Sequence, residues 1–364
     1  MKKKILLATA VAIACGAPLA AMADANIYGQ FRYSLNSADS DEGDGSSMSG
    51  EDNVSLFGLK AEVGDDIKAF VHLQTGANAD GDGAVSTTTT VPVVDPVTGL
   101  PVVPAATVDV TSTTDGGRAF AQRFYFGGLK GSFGTVAYGR MSTAYKMAGF
   151  KIDPFYNLSH VGANGKLSKS LATYGLSAAT NGFTDNAIQY TSPEMSGLKV
   201  NVGLYIDDSQ NDEHGTGVGV AYTAKDFNVG VQFISNDKTA TVAKLTADGD
   251  AMRVHGGYKA DAWSVDASFE TVDVNATGDD KSYMFLVGKY KVAEKTQLVM
   301  TIGTVDDDKD GADEGTGYTL GAFQTIAPKT QVYLSYSAAS LDNITAADSG
   351  ADPTIFSLGA IHKF

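Results

Sequence analysis

Apolar and polar residues alternate with a period of two along most of this chain. In KVNVGLYI, Val200, Val202, Leu204 and Ile206 share one face, and Lys199, Asn201, Gly203 and Tyr205 share the other. In AWSVDASFET, Trp263, Val265, Ala267 and Phe269 lie opposite Ser264, Asp266, Ser268 and Glu270. In DIKAFVHLQTG, Ile67, Ala69, Val71 and Leu73 lie opposite Lys68, Phe70, His72 and Gln74. This period predicts β-strands with one apolar and one polar face.

The connections between strands alternate in length. Short ones fall at 64–66, 131–134, 194–197, 225–226, 259–262, 292–295 and 327–330. Long ones fall at 36–52, 78–116, 142–184, 207–214, 236–250, 273–281, 305–315 and 341–353. These fifteen connections join sixteen strands. An even strand count with short turns at one end and long loops at the other is the pattern of an antiparallel transmembrane barrel. A soluble sandwich or propeller has no reason to segregate its loops in this way. In hydrocarbon every backbone polar group needs an internal partner, so a spanning sheet must close on itself. A barrel this wide holds water, which puts the apolar face outside and the polar face inside. Tyr28, Phe57, Phe126, Tyr138, Tyr190, Tyr258, Tyr290 and Tyr336, near strand ends, suit aromatic girdles at the headgroups.

Composition agrees with crossing by strands. After the N-terminal segment no run of 18 apolar residues occurs. That segment, residues 1–23, reads as a cleaved secretory leader with basic Lys2, Lys3 and Lys4, a short apolar run and the small-residue site Ala21-Met22-Ala23. Residues 24–364 then form the barrel, with no cysteine, since Cys15 lies in the leader. The formal net charge is −15, and removing the three leader lysines makes it about −18. Such acidity does not suit a nucleic-acid partner.

Several stretches resemble signatures of the Gram-negative general porins: RFYFGGLKGSFGTVAYGR, DIKAFVHLQTG, DNAIQYTSPEMSGLKV, APKTQVYLSYS and the terminal GAIHKF. The resemblance implies a sixteen-stranded outer-membrane homotrimer with its third long loop folded into the lumen. The implied function is a water-filled channel for passive diffusion of ions and small hydrophilic solutes. It also makes the terminal aromatic, Phe364, a signal read by the barrel-assembly machinery. Alternation independently makes TIFSLGAIHKF the closing strand, pairing with NIYGQFRYSL.

Alternation places Arg32, Lys60, Glu62, Lys68, His72 and Arg123 on the lumen side, the last because Phe124 and Phe126 are read as facing out. A charge at mid-strand on the lipid face would cost about 2–4 kcal/mol. Strict alternation puts Arg140 on the lipid face with Val136 and Tyr138, but a bulge there would reset the parity. The resemblance, through its YGR pattern, puts Arg140 in the constriction. Asp153 is the only acid of the loop 142–184, making it the candidate to face the arginines, with a turn before Pro154 as its other reading. Leu56 and Gln189 stand where the family commonly has Arg, and Gln74 where it has Glu. Fewer wall arginines and an acidic chain lead to an expected weak cation preference.

The acidic outer loops include VDDDKDGADEG, where Asp306, Asp308 and Asp310 precede Gly311 as in a calcium loop, but position 317 is Gly where that loop needs Glu. Solvated loops, or weak Ca²⁺ or Mg²⁺ sites bridging to lipopolysaccharide among the outer-membrane lipids, are the two readings. Segment 78–116 reads as a hairpin turning at DPVTG or as a flexible tract. No G-x-S-x-G occurs, and no catalytic set is expected. A substrate-specific channel, a barrel-anchored adhesin and an outer-membrane hydrolase remain as alternatives.

Overall fold

The alternating segments form strands that close into one ring. The computed structural model describes residues 25–39, 47–77, 85–92, 107–114, 120–150, 152–156, 158, 180–206, 214–237, 249–274, 279–307, 314–342 and 354–364. The leader, Asp308 and Asp310 lie outside these residues. In chain order the first strands are β1 (Asn26–Asp39), β2 (Ser47–Asp52), β3 (Leu56–Val63), β4 (Lys68–Ala77), β5 (Val85–Pro92) and β6 (Thr107–Thr114). Next come β7 (Phe120–Gly131), β8 (Gly134–Met141), the short helix α1 (Ala144–Phe150), β9 (Thr184–Thr191) and β10 (Leu198–Ile206). Then follow β11 (His214–Thr223), β12 (Phe227–Asn236), β13 (Gly249–Lys259), β14 (Trp263–Val274) and β15 (Asp279–Ala293). The last are β16 (Thr296–Asp307), β17 (Glu314–Ala327), β18 (Thr330–Asp342) and β19 (Thr354–Lys363).

All but β5 and β6 belong to a single 17-stranded antiparallel sheet in which β19 returns to β1. The count of sixteen holds because β2 and β3 are two parts of one wall strand. β2 pairs with the outer half of β1 and β3 with its inner half. Between them Asn53, Val54 and Ser55 leave the ladder, with Val54 at φ 67°. The ladder is mended by side chains: Asn53 Nδ2 donates to Ser34 Oγ at 2.9 Å, and Arg32 N donates to Ser55 Oγ at 3.1 Å.

All seven short connections are tight, as alternation of length implied. The first long one is shorter than read, since β1 continues to Asp39 and β2 begins at Ser47. Within 78–116 the hairpin is the form present: β5 and β6 pair in their own two-stranded sheet. Ring closure ends on Phe364, whose backbone exchanges hydrogen bonds with Gly29 at 3.1 and 3.4 Å. Its ring lies over Gly29, where an added Cβ would stand 2.2 Å from the ring carbon Cζ. Phe31 and Phe57 flank it at 5.9 and 5.8 Å.

The outward face carries Ile27, Leu35, Val202, Trp263, Val265, Phe269, Leu358 and their row-mates, all exposed, as the alternation predicts. Tyr138, Tyr258, Tyr290 and Tyr336 join the outer girdles. Tyr28 and Phe126 do not; both point inward, where Tyr28 meets His72 and Phe126 packs 5.0 Å from the same ring. The inward face is also less polar than expected. Ile234, Ala251, Val272, Phe285, Val287, Val299, Phe323 and Ile361 all point in and are buried. They carry the loop that enters the lumen.

Candidate functional site: a loop latched across the lumen

The loop after β8 turns inward at Ser142. Gln189 on β9 clamps the turn, accepting from Ala144 N at 2.7 Å and donating to Ser142 O at 3.0 Å. Thr143 caps α1, its Oγ1 accepting from Lys146 N at 3.1 Å, which satisfies one of the free amides of the first turn. The loop then offers aromatic side chains to the apolar part of the wall. Tyr145 and Tyr156 join the cluster with Tyr205, Ile234 and Val272. Phe155, fully buried, rests on Phe323 at 5.4 Å and fills the space left by Gly321, where a Cβ would lie 2.7 Å from its ring.

Three polar latches fix the register of this packing. At the first, Arg253 on β13 and Glu270 on β14 are direct cross-strand partners, with Arg253 Nη2 3.2 Å from Glu270 Oε2. Both are 0% exposed. Glu270 Oε1 accepts from Tyr145 Oη at 2.9 Å and from Thr180 Oγ1 at 2.8 Å, so it holds both ends of the loop. Arg253 donates to Tyr145 O at 3.3 Å and lies over its ring at 4.7 Å. Burial, with the Glu270 carboxylate alongside, pushes the Tyr145 hydroxyl well above its ordinary pKa and keeps it a donor. At the second, Lys289 donates to Ile152 O at 3.3 Å and pairs with Asp266 at 3.1 Å. At the third, Arg32 Nη1 donates to Tyr156 O at 2.7 Å. The wall of β3, β4 and β7 lies across the ring from the first two latches and next to β1, which carries the third.

That wall and the loop's first turn gather cations around one ring. Lys146 Nζ, Arg123 Cζ and Arg140 Cζ lie 4.4, 5.0 and 5.5 Å from the centre of Phe183. Arg123 also donates to Gln74 Oε1 at 3.0 Å, and Arg140 pairs with Asp185 at 2.7 Å. Arg123 gets there by a different route from the one the alternation suggests. β7 carries a bulge at Arg123: Gln74 pairs with Phe124 but Thr75 pairs with Gln122. Below the bulge Phe124 and Phe126 therefore face in, and Tyr125 faces out. Arg140 follows Gly139, whose φ of 135° excludes most side chains, and the ladder to β9 shifts between Gly139 and Met141.

Lys60, Glu62, Lys68 and His72 lie nearer the mouth that bears the short turns. Lys60 is exposed and lies over Tyr28 at 5.1 Å. Glu62 binds both Lys130 and Lys68, the latter at 3.7 Å. His72 binds Tyr28 and sits 5.0 Å from Phe124. Asp153 is buried at 4% exposure, and its Oδ1 accepts from Phe155 N at 2.8 Å, forming the turn around Pro154. Asp306 is exposed near the end of β16.

Sequence reasoning did not single out Arg253, Glu270, Lys146 or Lys289, and it named Gln189 only as a wall position where the family commonly has Arg. For the first pair a signal existed. The turn at 259–262 sets Lys259 opposite Ser264, and counting up the hairpin sets Arg253 opposite Glu270. Lys146 and Gln189 act only through the fold of the loop.

A family model described as Gram-negative porin matches residues 8–344. No curated protein matches the chain in sequence. Among solved structures, the anion-selective porin of Comamonas acidovorans is similar at TM-score 0.69 and 15% identity, covering 94% of this chain and 99% of that one. OmpT of Vibrio cholerae, in its trimer form, is similar at TM-score 0.61 and 17% identity, covering 94% and 99%. OmpF of Salmonella typhi, in complex with daunomycin, is similar at TM-score 0.62 and 13% identity, covering 93% and 97%.

Proposed function

From the premise that this chain belongs to the Gram-negative porin family, we propose that its outer-membrane barrel passes ions and small hydrophilic solutes by passive diffusion through the gap left beside the latched loop. The observation that carries this reading is the attachment of the loop to β13–β15, across the ring from Arg123 on β7. A third latch ties it to β1, and Lys60 lies beside that strand on β3. The reading gives the barrel no bond chemistry, because its charged groups serve to position the loop or to line the path.

Two sets of charges compete over ion preference. The acidic outer loops favour cations, and the chain's acidity, with fewer wall arginines, is the basis of the cation preference expected from the sequence. Charges in open solvent are screened beyond about 8–10 Å. Arg123 acts where the passage narrows and the low-dielectric wall focuses its field, and Lys146, buried in the loop with its Nζ donating to Asn181 O at 3.4 Å, adds to that field from behind. Arg123 has neutral partners, Gln74 and Phe183. On this argument the inner set wins, and the preference is weak and toward anions; the similar Comamonas protein is itself described as anion-selective. Single-channel conductance in planar bilayers, with a salt gradient, tests both statements. Silence, or block by one sugar, would favour a substrate-specific channel. A reversal potential on the cation side would return the preference to the acidic loops.

The same proposal includes a homotrimer, as in the solved trimer form of the Vibrio protein, assembly through recognition of the strand ending in Phe364, and contact of the acidic loops with lipopolysaccharide through Ca²⁺ or Mg²⁺.

A further inference from the structure

The outer wall of the barrel is not uniformly filled. A groove of about 540 Å³ lies across β14–β19 on the lipid-facing side. The strand registers explain it. One cross-strand row runs from Trp263 through Tyr290, Leu298 and Ala322 to Leu334. The row above runs from Val265 through Gly288 and Met300 to Tyr336 and Phe356. Large side chains fill both rows except at Ala322 and Gly288. A Cβ placed on Gly288 meets nothing within 4 Å, so the groove opens over it. A second groove of about 510 Å³ continues up the wall, between Val254, Phe269 and Met284.

The level of the groove is fixed by the turns. Trp263 follows directly on the 260–262 turn and, with Tyr290, stands where an interfacial aromatic belongs. The rows are about 7 Å apart along the strands, so the two grooves together span about 20 Å. With strands tilted about 40°, that is about 15 Å along the membrane normal, half of a roughly 30 Å hydrocarbon core. Below the groove, the turns at 293–296 and 327–330 carry exposed Lys295 and Lys329, and one acid, Glu294. Neither lysine has an ion-pair partner among the described residues.

We infer that this groove holds an acyl chain of an anionic phospholipid from the periplasmic leaflet, with the lipid phosphate at Lys295 and Lys329. The depth, the aromatic pair at the interface and the cations beneath it match one leaflet's lipid from chain to headgroup.

Native mass spectrometry of the folded protein, released from vesicles containing phosphatidylglycerol and dioleoylglycerol into mild detergent, tests this. The wild type retains phosphatidylglycerol in preference to dioleoylglycerol. Gly288→Phe, which fills the groove from its floor, lowers that retention at least tenfold. Lys295→Gln with Lys329→Gln removes the preference while leaving conductance and heat-modifiable gel migration unchanged. Ala322→Phe serves as the second groove-filling variant if Gly288→Phe does not fold. Retention that is absent in the wild type, or equal in wild type and both filled variants, overturns the inference. So does cross-linking of Gly288→Cys between copies, which would make this face a protomer interface.

Discussion

Arg253 and Glu270 face each other across neighbouring strands at 3.2 Å, fully buried, in a barrel whose interior is otherwise read as wet. Their burial is the work of the loop that covers them, and the pair in turn holds that loop through Tyr145 and Thr180. Removing one partner leaves an uncompensated charge in a dry site, which costs about 3–5 kcal/mol.

Glu270→Ala is therefore expected to lower the unfolding temperature and to add slow current fluctuations as the loop detaches. Replacing both partners by apolar residues of similar size, Arg253→Met with Glu270→Leu, restores much of the stability but not the quiet current, because Tyr145 and Thr180 still lose their acceptor. Thermal melts and single-channel noise spectra separate the two effects.

Neutralising the cations around Phe183 should move the reversal potential. Arg123→Gln with Lys146→Gln shifts it toward cations in a potassium chloride gradient, with the shift largest at low ionic strength, where screening is weakest. Asp185→Asn, which frees Arg140 of its partner, shifts it the other way. Equal reversal potentials in all three proteins would remove these residues from ion discrimination.

Phe364→Ala should reduce the yield of assembled barrel severalfold while leaving the conductance of those that assemble unchanged. Gly29→Leu should have a similar effect by displacing the Phe364 ring from outside. Heat-modifiable migration on gels gives the yield, and bilayer recordings give the conductance. Normal yield in both variants would argue against closure through this ring.

Calorimetric titration with millimolar calcium is expected to give weak heat that falls when Asp306→Asn is introduced. No heat in the parent protein would assign the acidic loops to solvation alone.

Strand number, closure and the facing of the wall were readable because each depends on local alternation and on loop length. Trp263, Phe269 and Leu358 lie where a period of two puts them. Phe124 and Phe126 were misplaced because one extra residue, Arg123, inverts the parity of everything after it. A bulge is a pairing event between two strands, and one strand's sequence does not announce it. The apolar inward residues, such as Phe285 and Phe323, were hidden for a related reason. Their partners are Ile152 and Phe155, more than a hundred residues earlier, and only the inward fold of the loop joins them. For Asp153 the turn before Pro154, one of the two readings the sequence offered, is the one its hydrogen bond to Phe155 N makes visible.

The clamp of Gln189 and the latch of Glu270 have a consequence for size. Sixteen wall strands fix the outer circumference, and on the function proposed above the passage is the part of that section the latched loop leaves open beside Arg123. Conductance in such a channel follows the loop's girth more closely than the strand count, so two barrels of equal perimeter are free to differ widely in what they let through.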